Sequence, residues 1–257
     1  NPVGPDLTLL PLTISGLQAY FSSQDLASMD DGDLVTQWDD LSHHKNHLIQ
    51  YDYNDTTYDA PEYNAAENSV LFKRSPEAIT TDMLWFGSGI QVREYTCFFV
   101  MKMTADTALH FHHLLRDWGD TDFISLFYTG DSVNNKLTLK VAAESGASST
   151  LSQNYLYPTD YGYIPEDVKV LFTVRKKKYN HDIGYGQVEY YNNKTSIATH
   201  NGQDTNILQT FDILGDPDKF TGFKGHMYEL AIYDKALTDE QVENLQDYFM
   251  DRTNINV

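Results

Sequence analysis

The chain has 257 residues, 41% apolar and 13% aromatic, and its 37 acidic against 18 basic residues give a formal charge of −19. So much bulky apolar material excludes a disordered chain, and the acidity argues against a nucleic-acid partner because it would repel a phosphate backbone. No run approaches the roughly 18 consecutive apolar residues of a membrane span.

Residues 1–15, with Pro2, Pro5 and Pro11 around Leu7-Thr8-Leu9-Leu10, are expected to form an extended arm packed on the domain or on a neighbouring subunit, since proline interrupts both helices and ladders. A start at Asn1, with neither an initiator Met nor a signal-peptide pattern, is expected of a processed product or of a segment of something longer. From residue 16 onward, short β-branched and aromatic runs alternate with Asp, Asn, Gly and Ser turns, the pattern of an all-β sandwich. Strands are predicted at 17–21, 35–38, 69–72, 95–103, 110–115, 123–128, 136–142, 168–175, 187–191, 194–200, 210–214 and 225–233. That many strands require two sheets. The single cysteine, Cys97, lies in an apolar run and reads as a small buried hydrophobe. In the tail, Thr238 is placed to cap a helix whose first turn carries Asp239 and Glu240 and whose Val242, Leu245, Tyr248 and Phe249 share one face.

Three blocks carry a family resemblance. Gly16-Leu17-Gln18-Ala19-Tyr20-Phe21, followed by Asp31-Gly32-Asp33-Leu34-Val35 and by Trp38-Asp39-Asp40-Leu41-Ser42, resembles the opening of laminin-G-like domains in the concanavalin A-like lectin/glucanase superfamily. Pro61-Glu62-Tyr63 and Asn68 to Phe72 are similar to that family's next step, and Phe220 to Glu240 is similar to its closing strand and helix cap. The resemblance implies a two-sheet antiparallel jelly-roll sandwich over residues 16–257 with a short C-terminal helix. Within it Trp38, Asp40, Gly225, Glu229 and Tyr233 are the structural residues; Asp40 or Ser42 would bind backbone donors in the following loop. Between about residues 85 and 210 only the strand rhythm matches.

Fold does not give function. Retaining glucanases of this superfamily carry paired acids in a pattern such as E-x-D-x-x-E, which holds two carboxylates about 5 Å apart over one groove. The sequence lacks it, so the chain is expected not to be an enzyme, a glycoside hydrolase or lyase being the least favoured reading. The histidine clusters His43, His44, His47 and His110, His112, His113 admit zinc but read first as polar loop and strand positions. Calcium is the better metal expectation, on Asp30, Asp31 and Asp33 or on Asp117, Asp120 and Asp122, because rim loops of laminin-G-like domains often hold that ion; turn-forming Asp is the plainer alternative. The tyrosines of two loops, Tyr51, Tyr53 and Tyr58 with Tyr155, Tyr157, Tyr161 and Tyr163, offer the flat apolar faces that sugars stack on, and equally suit a protein interface. Arg175-Lys176-Lys177-Lys178 reads as a charged strand end.

These features lead to the expectation of a non-catalytic surface recognition or adhesion module that binds surface glycans through rim loops. The alternative is a structural or decoration protein of a larger assembly, such as a bacteriophage head or tail appendage, with other subunits or further copies of itself as partners. Either role implies an extracellular or virion-surface location.

Overall fold

From Tyr95 to Met103 the side chains alternate between two apolar surroundings: Cys97, Phe99, Met101 and Met103 join one buried cluster, Phe98 and Val100 another. The two-residue period of a strand demands this separation. A strand buried on both faces must lie in the middle layer of the molecule.

A computed structural model of the chain describes residues 10–53, 56–57, 59–73, 82–104, 111–118, 122–129, 136–143, 167–180, 185–202, 208–215 and 222–255. Its strands are β1 (Leu17–Ser22), β2 (Gln37–Trp38), β3 (Leu48–Ile49), β4 (Asp52–Tyr53), β5 (Thr56–Thr57), β6 (Glu62–Asn64), β7 (Ser69–Phe72), β8 (Met83–Val92), β9 (Tyr95–Met103), β10 (Phe111–Arg116) and β11 (Asp122–Thr129). They continue with β12 (Lys136–Ala143), β13 (Lys169–Asn180), β14 (Tyr185–Asn192), β15 (Thr195–Gly202), β16 (Gln209–Gly215) and β17 (Gly225–Tyr233). The helices are α1 (Leu10–Thr13) and α2 (Asp239–Thr253).

The first sheet runs β15-β14-β13-β9-β17-β7-β6, with β1 also paired to β17, and the second runs β12-β11-β10-β16-β8-β3-β2. All their strand pairs are antiparallel. The chain is thus the two-sheet antiparallel sandwich with a short C-terminal helix that the sequence predicts. One core fills the space between the sheets; the other lies between the first sheet's outer face and α2, through Val242, Leu245, Tyr248 and Phe249. Helix α2 starts at a capping box, in which Gln241 N donates to Thr238 Oγ1 at 3.2 Å and Thr238 N to Gln241 Oε1 at 3.1 Å.

The motif residues are structural. Trp38 is fully buried and its indole N–H donates to Ser22 O at 3.1 Å. Asp40, 1% exposed, accepts from the backbone N–H groups of Tyr20, Ser42 and Asn46 at 2.9, 2.8 and 2.8 Å, and from Ser42 Oγ at 2.6 Å. Gly225 (φ +143°) sits where a Cβ would lie 2.2 Å from Lys102 O, so only glycine lets β17 approach β9 there. Glu229 is buried against Ser22 Oγ and Arg252 Nε, at 3.0 and 2.9 Å, and burial holds its carboxyl above the usual range. The Tyr233 hydroxyl donates to Pro11 O at 3.1 Å.

Two local expectations need revision. Residues 10–13 of the expected extended arm form one helical turn against β1, with Leu10 and Ile14 packed on the α2 core; residues 1–9 lie outside the described residues. The basic run is no exposed strand end, because β13 continues to Asn180 and is flanked by β9 and β14. Arg175 is buried, its Nε donating to Glu189 Oε2 at 2.6 Å and its Nη1 to Leu237 O at 2.8 Å, and Lys176 Nζ donates to Gln209 Oε1 at 2.7 Å between the sheets.

Candidate functional site

The second sheet's outer face carries the candidate site. Along β8, Leu84, Phe86, Ile90 and Val92 point into the inter-sheet core. Alternation therefore sends Trp85 and Gln91 outward. On the neighbouring β16, Phe211 and Leu214 face the core and Asp212 faces out, half-buried. No described helix covers this face, since α2 packs on the other sheet.

The ladder between the two strands is irregular at this point. Phe211 pairs with Ile90 and Ile213 with Trp85, so residues 86–89 of β8 stand opposite Asp212 alone. Gly87 and Gly89 inside this bulge have φ of +53° and +67°. A Cβ on Gly89 would come within 2.4 Å of Asp212 Oδ1, so the missing side chain is what lets the carboxylate settle against the bulge. Large bulges re-aim side chains, and they and strand glycines gather where a ligand approaches the backbone. Trp118 N donates to the other oxygen, Asp212 Oδ2, at 3.1 Å.

Three aromatic rings cluster on this face, one of them on the residue whose backbone N–H holds the carboxylate. Tyr51, just after β3, has its ring centroid 5.1 Å from that of Trp85 and 4.8 Å from that of Trp118, at interplanar angles of 72° and 46°. Trp118 is 45% exposed and Trp85 and Tyr51 are partly exposed, in contrast to the fully buried Trp38. Arg116, in register with Ile213, is buried and its Nε donates to Asp117 O at 3.0 Å. Chemically, the face offers flat rings for stacking and a fixed carboxylate for hydroxyl donors.

Of the predicted ligand tyrosines, the structure brings Tyr51 into this site. Tyr58, Tyr155, Tyr157, Tyr161 and Tyr163 lie outside the described residues, as does the side chain of Tyr53. The predicted metal carboxylates divide likewise. Asp33 Oδ2 accepts from Asp30 N and Asp31 Oδ1 from Ala65 N, both at 2.9 Å, so Asp33 closes the turn and Asp31 ties it to the loop at Ala65. Asp117 borders the aromatic face, and Asp120 and the side chain of Asp122 lie outside the described residues. Among the described residues no three His, Cys, Asp or Glu side chains converge as metal ligands would. His43 and His44 pack with centroids 3.9 Å apart, and His47 Nδ1 accepts from Asp40 N at 3.2 Å. His110 and the side chain of His112 are likewise outside the described residues.

The sequence reading missed Trp85, Trp118 and Asp212 as a group. The available signal was Leu84-Trp85-Phe86 followed by Gly87-Ser88-Gly89, an alternating apolar run entering a glycine-bearing bulge.

No family profile and no curated protein matches the chain. Solved structures do match its fold. Domain 4 of AbnA, a GH43 extracellular arabinanase from Geobacillus stearothermophilus solved with arabinotriose, is 16% identical over 90% of this chain and 98% of that domain, with a TM-score of 0.50. A GH54 α-L-arabinofuranosidase is 14% identical with a TM-score of 0.58, the match covering 92% of this chain and 59% of the enzyme. Trypanosoma rangeli sialidase is 11% identical with a TM-score of 0.50, the match covering 91% of this chain and 33% of that protein. The chain therefore spans about three fifths of the arabinofuranosidase and one third of the sialidase. At these identities the likeness is one of fold, and the fold is one found in carbohydrate-active proteins.

The expectation that the chain is not an enzyme is corrected by these matches. It rested on one missing acid pattern, whereas these three solved structures that share the fold come from glycoside hydrolases. Absence of a motif borrowed from one branch of a superfamily is no argument against hydrolysis on a different arrangement of residues.

Proposed function

We propose that this chain is a glycan-recognising sandwich domain that binds saccharide on the outer face of its second sheet, over Tyr51, Trp85 and Trp118. The observation that carries the reading is the juxtaposition of three partly exposed rings with Asp212, which a glycine-bearing bulge seats in the middle of a sheet. Sugar rings have an apolar C–H face and polar edges, so a stacking surface beside a carboxylate complements them on both counts. The carbohydrate-active proteins that share the fold support this reading. A laminin-G-like relationship, suggested by the closing strand and cap motif, and an extracellular setting belong to the same proposal.

The chain contains three tryptophans, one in the core and two in the site, so intrinsic fluorescence reports the face directly. Titration with a panel of oligosaccharides, arabinotriose among them, is expected to shift or quench that emission, and Trp118→Ala to abolish the response while the thermal melt stays unchanged. A folded protein that binds no member of a broad panel rules the reading out. The same panel followed for reducing-end release measures whether binding is accompanied by hydrolysis.

A further inference from the structure

We infer that the aromatic face selects neutral saccharides over carboxylated ones and that Asp212 is its specificity-determining residue; this deepens the glycan-binding reading above and rests on it. Asp212 is held from two sides. Trp118 N donates to Oδ2 at 3.1 Å, and the space that a Cβ of residue 89 would fill is taken by Oδ1. A carboxylate accepts about four hydrogen bonds, so a single backbone donor leaves it capacity for hydroxyl groups. Its position is fixed before a ligand arrives, which lowers the ordering cost of binding. Hydroxyl-to-carboxylate hydrogen bonds are charge-assisted and stronger than neutral ones.

The same carboxylate works against an acidic sugar. A uronate or sialate stacked on Trp85 or Trp118 would bring its own negative charge beside Asp212, on a chain of formal charge −19. Like charges placed together at an interface suppress the wrong partner. Arg116, the basic residue the ladder places next to this face, is buried with its Nε committed to Asp117 O and makes further interactions, so it is not free to clamp a ligand carboxylate. Neutral chains of pentose or hexose are the class that fits.

The test measures affinities of the whole chain by calorimetry for matched probes: arabinotriose, lactose and galactotriose as neutral sugars, 3′-sialyllactose and trigalacturonate as acidic ones. At low salt at least one neutral probe is expected to bind, and its acidic counterpart at least about tenfold more weakly. The gap should narrow in 0.5 M NaCl, which screens exposed charges. Asp212→Asn, which keeps an acceptor for Trp118 N, is expected to weaken neutral binding about tenfold, the loss of one charge-assisted contact. Circular dichroism verifies that each variant is folded. If an acidic probe binds as tightly as its neutral partner and Trp118→Ala removes that binding, neutral selection is overturned while the glycan face stands. If Asp212→Asn leaves affinity unchanged, Asp212 is not the determinant. If no probe binds, or Trp118→Ala has no effect on binding, both the inference and the reading beneath it fall.

Discussion

Asp40 ties the first strand to the loop that follows Trp38, and its removal tests how the opening motif works. The side chain, 1% exposed, accepts from three backbone N–H groups and one hydroxyl, tying β1 through Tyr20 to the loop at Ser42 and Asn46. Asp40→Ala would leave three backbone donors without this acceptor in a site with little access to water. Each unsatisfied buried donor costs about 1–3 kcal/mol, so a loss of roughly 3–9 kcal/mol is expected, a large part of the about 5–15 kcal/mol that stabilises a typical domain. Asp40→Asn keeps one acceptor oxygen and should cost about half as much; Ser42→Ala, which removes one donor along with its own bond, should cost about 1 kcal/mol. Equilibrium urea unfolding followed by tryptophan fluorescence reads all three, since Trp38 lies beside this network and donates to Ser22 O. An Asp40→Ala protein within 1 kcal/mol of wild type would refute the argument that these bonds organise the first strand and its loop.

Gly225→Ala places a Cβ 2.2 Å from Lys102 O at φ +143°, and the resulting separation of β17 from β9 is expected to cost roughly 3 kcal/mol in the same unfolding assay. Glu189→Ala leaves the buried Arg175 with Leu237 O, the Tyr191 hydroxyl and Asp239 but without its buried carboxylate, an expected loss of about 3 kcal/mol that 0.5 M salt does not remove. Burial pushes the Asp82 carboxyl up to about 7, with the nearby charges of Asp59 and Glu62 adding to the shift and the Lys73 backbone N–H opposing it. Because its folded pKa lies above the unfolded one, its stabilising contribution is complete below about pH 4 and is lost as the pH rises through about 7. Asp82→Asn keeps an acceptor for Lys73 N and does not titrate, so its stability relative to wild type should rise by roughly 2–3 kcal/mol between pH 5 and pH 8 in paired thermal melts; a constant difference would show that the carboxyl is not held neutral.

The parts of the fold legible in the sequence are those where a backbone requirement admits few residue types. A buried loop needing several acceptors requires Asp at 40, a close strand crossing requires Gly at 225, and a helix start takes Thr238 with Gln241 three residues on. Such needs are local, so short motifs carry them. The twelve predicted strands that rest on rhythm all fall within or overlap described strands or bridges, but the rhythm did not reveal β8. Gly87-Ser88-Gly89 looks like a turn because two of its residues take positive φ, and only pairing with β16, more than a hundred residues later, shows that the strand continues past them. The basic run was misread for the same reason: the groups that bury Arg175 and Lys176 stand at 189, 209, 237 and 239.

What hid the strand also makes the site. A regular β8 would present Trp85 on a flat ladder with every backbone group opposite a partner and no space for Asp212 to approach. With residues 86–89 opposite one residue, β8 arches away, the carboxylate occupies the gap, and Trp118 N fixes it there. Trp38 and Trp85 are the same residue type, yet one is core and the other is partly exposed. The difference lies in register alone: Trp38 shares the inter-sheet core with Leu48, whereas Trp85 is flanked by Leu84 and Phe86, which take the core positions and turn it outward. Neither tryptophan's flanks name the partners it meets across the sheet, so Tyr51 reads as a ligand-type tyrosine in the sequence while the two tryptophans it joins do not. The recognisable ends of the chain build the scaffold, and the irregular strand between them carries the candidate site.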